Sequence, residues 1–199
     1  MLLHCQEVAA RAGWKLKTLL QTRRFYSTRE LVGLYKCHVL PVLEFCTPAV
    51  FHASTTVLEL LDKVQRRFLR EVDLTERDAL LEHNLAPLNA RRDMAALGLI
   101  HRTVLGQGPP HFAMWFYLSD KVPAYNTRHQ ARKHSKQLCS YLQGRHSELL
   151  KRSFLGQVDV YNKLQQQVVD ANSVKLFQRR LQQHLKSLAK RCTDTAQDS

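Results

Sequence analysis

The clearest helical pattern of this chain lies at residues 54–72, STTVLELLDKVQRRFLREV. Ser54, Thr55 or Thr56 can cap the start of a helix that continues to about Val72. One face of that helix is apolar because side chains recur at steps of three and four residues: Val57, Leu61, Val64, Phe68 and Val72. A second stripe, roughly opposite, is cationic, and we call it the basic stripe: Lys63, Arg66, Arg67 and Arg70. The pattern predicts a helix that packs through one face, although an ordinary solvated face would have the same charges.

Helical signals continue on the N-terminal side of this segment. Residues 2–22 have apolar positions at helical spacing. Ser27 and Glu30 have the spacing of a capping box, which predicts a second helix from about Thr28. Pro41 and Pro48 should then kink or restart the helical path, because proline lacks an N–H and clashes with the preceding turn.

On the C-terminal side, the sequence predicts a short helix at 75–83 and a helix capped by Asn89 that reaches about Leu105. The stretch GQGPP at 106–110 should end that helix and mark a boundary. Residues 153–156 suggest a short extended piece. A final helix, capped by Asn172 or Ser173, should direct Phe177 and Leu181 inward. Its outward cations include Lys175 and Arg179.

These patterns together predict an all-α protein, with a helical bundle followed by a basic connector and a C-terminal helix. We expect a helical domain at 1–118, a linker at 119–152, a helical segment at 153–191 and a disordered tail at 192–199. The aromatic cluster at 112–117 (Phe112, Trp115, Phe116, Tyr117) is expected to be buried and to close the core of the first domain, rather than to serve as a stacking platform.

Charge is the strongest indication of a partner. The 199 residues contain 30 Lys and Arg against 17 Asp and Glu, which gives a formal net charge of +13. An excess of this size predicts a polyanionic partner, and nucleic acid is the first expectation. The region 121–152 holds eight Lys and Arg and a single acid, Glu148, so we expect a mobile basic connector whose cations can neutralise phosphates. The members that we assign to nucleic-acid binding are Arg128, Arg132, Lys133 and Lys136. A solvated linker explains the same charges.

Other classes are disfavoured. No apolar run is long enough for a membrane span, and the N-terminus lacks the pattern of a secretory signal, so we expect an intracellular protein that does not bind membranes. The five cysteines are scattered without a CxxC pair and should be reduced. The only candidate metal site is the stretch His129, His134, Cys139 and His146, whose spacing matches no zinc motif. We therefore expect no metal and no cofactor.

Catalytic motifs are also missing from the sequence. There is no Asp-Asp, Asp-x-Asp or Glu-Asp pair of the kind that polymerase metals require, no glycine-rich phosphate loop and no nucleophile elbow. The sequence thus predicts a chain that is not an enzyme by itself.

Several segments resemble one family. The segment LYKCHVLPVLEFCTPAVF at 34–51, followed by LELLDKVQRRFLREV at 58–72, resembles the region after the palm in non-LTR (LINE-type, jockey-like) retrotransposon reverse transcriptases. The similarity continues at 79–112, at TRH 127–129 and at 153–185. Two positions depart from the family pattern: Val50 stands where the family usually has Trp, and Gln165 stands where it has Pro.

The resemblance implies a thumb and its downstream connector. In such enzymes a helical thumb grips the primer and template duplex behind the active site, and the basic stripe would contact its phosphates. The polymerase aspartates have no counterpart here, so polymerase activity is not implied for this chain. The alternative is a decayed or stand-alone helical module that binds proteins and has no nucleic-acid role.

Overall fold

The computed structural model describes residues 1–45, 47–119, 133–140 and 148–197. Within them the chain is all-α, as predicted, and the only β pairing is an isolated bridge between Leu118 and Leu138. The helices are α1 (Leu2–Gln21), α2 (Thr28–His38), α3 (Leu40–Glu44), α4 (Thr47–Val50), α5 (Thr55–Glu71), α6 (Glu76–Leu81), α7 (Leu88–Val104), α8 (Glu148–Lys151), α9 (Gln157–Asn162), α10 (Gln166–Val169) and α11 (Val174–Gln197). Short 3-10 turns occur at Arg23–Phe25 and Pro110–Phe112.

Three helix starts follow the predicted caps, and a fourth does not. Ser27 accepts from the N–H of Glu30 while the Glu30 carboxylate accepts from the N–H of Ser27, which completes the capping box. Ser54 and Ser173 cap α5 and α11 through the hydroxyl alone, which accepts from the N–H of Val57 and of Leu176. The predicted cap at Asn89 is wrong, because α7 begins at Leu88 and the Pro87 carbonyl accepts its first bond, from Arg91.

Helix ends are closed by left-handed residues. After α5, Asp73 has φ 55°, the N–H of Leu74 donates to the Leu69 carbonyl, and the N–H of Asp73 itself is directed at the Arg70 carbonyl. After α7, Gly106 has φ 73° and makes the equivalent pair of bonds. Both ends are Schellman motifs, in which glycine is the preferred residue at the left-handed position.

The first compact unit contains residues 1–92 and 186–199. Its core forms where α1 and α3 pack together and α1 packs against α5, so the apolar face predicted for 54–72 is the face that is buried. At the centre the rings of Tyr35 and Phe68 stack with centroids 4.2 Å apart. Neither ring has any exposed surface. Burial of side chains of this size supplies most of the favourable free energy of folding.

The second compact unit contains residues 93–185 and is organised around a histidine. His101 is fully buried and stacks on Phe177 at 4.2 Å. Its Nδ1 lies 2.9 Å from the Tyr161 hydroxyl and its Nε2 lies 2.9 Å from the Ala171 carbonyl. Both ring nitrogens therefore have partners when the imidazole is neutral, with Nε2 donating and Nδ1 accepting.

The compact units have different limits from the predicted domains. The composition predicted domain boundaries near residues 118 and 152. The contacts between residues in the structure instead divide the chain after Arg92 and after Leu185. Residues 153–156 form turns instead of an extended piece, because the N–H of Gly156 bonds back to the Ser153 carbonyl. In the predicted tail, α11 continues to Gln197. Leu138 and His134, in the predicted mobile connector, are buried.

Candidate nucleic-acid interface

The basic stripe lies on the solvent-facing side of α5. Lys63, Arg67 and Arg70 are all exposed, and none of them forms an ion pair with any described residue. The opposite face of the same helix is held in the core by Leu61 and Phe68. Burial of that face fixes the rotation of α5, so the three cations point to solvent.

Arg66, the fourth member of the stripe, is compensated by a carboxylate. Its guanidinium donates to Glu59, which lies two turns earlier on the same side of α5. This hydrogen bond raises the pKa of Arg66, and the charges of Glu59, Asp62 and Glu76 act in the same direction. The net positive charge of the stripe therefore comes from the other three members. The sequence indicates this ion pair only through the seven-residue spacing between Glu59 and Arg66, which places both on the same side of a helix.

A cavity of about 220 Å³ borders the stripe on the Arg66 side. It is lined by Glu59, Asp62, Gln65, Arg66, Glu76, Pro87, Leu88 and Asn89. The Arg92 guanidinium donates two hydrogen bonds, of 2.8 and 2.9 Å, to the carboxylate of Asp62 in this lining. Carboxylates predominate among its charged groups, so a phosphate is repelled here and attracted to the Lys63, Arg67 and Arg70 side.

The remaining predicted binding residues fall on other elements. Lys175 and Arg179 are exposed one turn apart on α11, in the part of that helix that belongs to the second unit. Lys133 is exposed, whereas Lys136 is half-buried and donates to the Val169 carbonyl at 3.1 Å. The four residues of the basic stripe thus lie in the first unit, whereas Lys133, Lys136, Lys175 and Arg179 lie in the second.

Two predicted binding residues, Arg128 and Arg132, lie outside the described residues, as do His129 and His146 of the candidate metal site. In the part of the chain that the structure describes, no group of three His, Cys, Asp or Glu side chains could hold a metal ion. His134 Nε2 lies 3.0 Å from the Tyr161 carbonyl and helps to anchor its own segment.

The aromatic cluster at 112–117 is only partly buried, so its predicted role is wrong in part. Phe116 is buried and meets Phe112 edge to face at 5.9 Å. Trp115 and Tyr117, however, are 46% and 48% exposed. The cluster also belongs to the second unit and not to the core of the first. Sequence reasoning missed this exposed pair because a dense aromatic run is most often a core.

Comparisons with family models, with curated proteins and with solved structures found no match to this chain. Among the helices of the described ranges, none is both long enough and apolar enough to cross a bilayer.

Proposed function

We propose that this chain is the non-catalytic thumb and connector portion of a non-LTR retrotransposon reverse transcriptase, an RNA-directed DNA polymerase, and that it binds the backbone of a primer and template duplex. The remaining domains of that enzyme would be its protein partners, and its setting would be intracellular. One observation carries the proposal: Lys63, Arg67 and Arg70 are exposed on one face of α5 without acidic partners among the described residues. The sequence resemblance at 34–72 supports the same role.

The dimensions of the stripe suit a phosphate backbone. Lys63 and Arg70 are seven residues apart on a helix, which corresponds to about 10 Å along its axis. This length is comparable to three nucleotides on one strand of a duplex, at roughly 3.4 Å each. Three cations at this spacing can contact successive phosphates without reading any base. We therefore expect binding that depends strongly on salt and weakly on sequence.

Fluorescence anisotropy with a labelled RNA–DNA hybrid tests the proposal, since affinity can be measured across a range of salt concentrations. Lys63→Glu and Arg67→Glu should each weaken binding about tenfold at ~0.1 M salt, for all sequences alike. Neutral versions, Lys63→Gln and Arg67→Gln, should each reduce the slope of log affinity against log salt by about one.

Lys17→Glu is the matched control, because it makes the same charge change at an exposed site on α1. This variant should bind the hybrid within about twofold of the unsubstituted chain, since it removes no phosphate contact. Arg66→Gln should also have a smaller effect than Arg67→Gln, because Arg66 is already paired with Glu59. If all of these variants weaken binding equally, net charge rather than the stripe attracts the polyanion, and the proposed interface is wrong.

A second function, as a helical module that binds proteins, is favoured by a different observation. Trp14 and Phe45 of the first unit are 69% and 80% exposed, and large apolar side chains in such positions are typical of protein interfaces. This alternative predicts that the chain does not bind hybrid at physiological salt. The anisotropy titration therefore separates the two functions directly.

A further inference from the structure

A short run of large apolar side chains is exposed in the second unit, and it does not belong to the basic stripe. Trp115 and Tyr117 form what we call the aromatic ledge, and Met114 and Leu118 beside them are exposed as well. Phe116, between the two rings, is buried and meets Phe112 edge to face, and Phe112 in turn contacts Phe154 with ring centroids 6.4 Å apart. The ledge is thus a pair of half-exposed aromatic residues on an anchored piece of backbone.

The backbone beneath the ledge is held by a second segment. The N–H of Cys139 donates to the Tyr117 carbonyl at 3.1 Å, and the N–H of Ser119 donates to the Gln137 carbonyl at 2.8 Å. The Asn162 side chain forms two hydrogen bonds with the backbone of Leu138. Its Oδ1 accepts from the Leu138 N–H and its Nδ2 donates to the Leu138 carbonyl, both at 2.8 Å. Rings on a backbone that is fixed in this way lose little conformational entropy when a ligand stacks on them.

The segment that pairs with the ledge is basic. The segment 133–140 that pairs with it carries Lys133 and Lys136 and no acidic residue. Lys163, which follows Asn162 in the sequence, is exposed. Across the second unit, 13 Lys and Arg stand against five Asp and Glu. The ligand that fits is therefore a polyanion that also presents flat apolar faces.

We infer that the aromatic ledge stacks on the bases of single-stranded RNA or DNA while the neighbouring lysines contact its phosphates. The bases of a duplex have their faces covered by their neighbours, whereas those of a single strand are open to aromatic side chains. The inference rests on the proposed function, because it requires that the chain binds nucleic acid. Under this inference the second unit binds single-stranded nucleic acid, in addition to the duplex that the proposed function assigns to the basic stripe.

The test uses the full chain and the fact that it contains two tryptophans, Trp14 and Trp115. In a Trp14→Phe variant all tryptophan emission comes from Trp115, and titration with unlabelled oligo(dT) or oligo(U) should quench it. A duplex of the same length should quench it much less. Comparison of the two oligomers decides between DNA and RNA as the preferred strand.

Affinity for labelled oligo(dT) gives the second readout. Trp115→Ala and Tyr117→Ala should each weaken it at least about fivefold, since loss of one base stack has an effect of this size or larger. Trp115→Phe should retain most of the affinity, because a phenyl ring still stacks. The matched control is Trp14→Ala, which removes the other exposed indole and should leave the affinity unchanged. Duplex affinity should stay within about twofold in all four variants.

The outcomes distinguish the two proposals. If neither single strand nor duplex binds, the proposed function itself fails. If duplex binding is sensitive to Lys63→Glu while Trp115→Ala binds oligo(dT) normally, only the aromatic ledge is wrong. A blue shift of Trp115 emission with anionic lipid vesicles, with no response to oligo(dT), would also overturn the ledge and identify a membrane surface as its ligand. A far-UV circular dichroism spectrum identical to that of the unsubstituted chain shows that a variant is folded. If Trp115→Ala is not folded, Tyr117→Ala and the quenching of Trp115 provide the test.

Discussion

The ion pair between Asp62 on α5 and Arg92 on α7 is expected to be the most important charged contact of the first unit. The Arg92 side chain is only 8% exposed and the Asp62 side chain 23%, and the two are joined by paired hydrogen bonds of 2.8 and 2.9 Å. Asp62→Asn keeps the shape of the side chain but leaves the guanidinium without its counter-charge. Removal of one partner from a largely buried pair typically costs 3–5 kcal/mol. Because Asp62 retains some exposure, we expect a loss of about 3 kcal/mol in the free energy of unfolding.

Urea unfolding followed by far-UV circular dichroism measures this loss, and thermal unfolding should show a decrease in Tm of about 6–12 °C. The control is Glu71→Gln on the same helix. Glu71 pairs with Arg23 at 2.7 Å, but the two side chains are 36% and 55% exposed, so this substitution should cost less than about 1 kcal/mol.

The double variant Asp62→Leu with Arg92→Met provides a further check. It removes both charges and replaces them with apolar groups, so its free energy of unfolding should return to within about 1 kcal/mol of the original value. Equal losses for Asp62→Asn and Glu71→Gln would refute the reasoning, because burial would then have no influence on the strength of the pair.

Three further predictions concern single residues. The Tyr35 hydroxyl is buried without a hydrogen-bond partner among the described residues, so Tyr35→Phe should raise the free energy of unfolding by about 1 kcal/mol in urea. Asp73 has φ 55°, and Asp73→Gly should stabilise the chain by about 0.5–1 kcal/mol, seen as a higher Tm. Burial lowers the pKa of His101, so below the ordinary pKa of about 6.5 the unfolded chain binds a proton that the folded chain does not. The free energy of unfolding should therefore fall as the pH decreases from about 7.5 to about 5.5, and His101→Gln should reduce that dependence, as urea titrations at the two pH values would show.

Much of the helical framework could be predicted because its signals are local. Ser27 and Glu30 cap a helix through atoms three residues apart, and Ser54 does the same for α5. The apolar repeat of α5 identified the face that is buried. Each of these features depends on residues within one or two helical turns of each other, so it can be recognised from nearby positions in the sequence.

The exposed position of the basic stripe was also predictable from the sequence, although the pairing of Arg66 was not. The exposed face follows from the same periodicity, so Lys63, Arg67 and Arg70 lie where expected. Arg66 differs because its charge is balanced by Glu59, and a pattern of cations alone takes no account of an acid two turns away.

What only the tertiary structure decided depends on residues that are far apart in sequence. His101 is enclosed by Tyr161 and Ala171, 60 and 70 positions away, and no local pattern indicates that burial. Asn162 anchors Leu138 in a segment that composition alone predicted to be mobile. In the same unit Phe116 is buried while Trp115 and Tyr117 on either side of it are exposed, which the composition of the aromatic run does not indicate. By itself the sequence determined the approximate positions of the long helices α1, α5, α7 and α11 and their apolar faces, since both follow from local backbone hydrogen bonding and period. Contacts over long separations determined which rings and charges are accessible to a ligand.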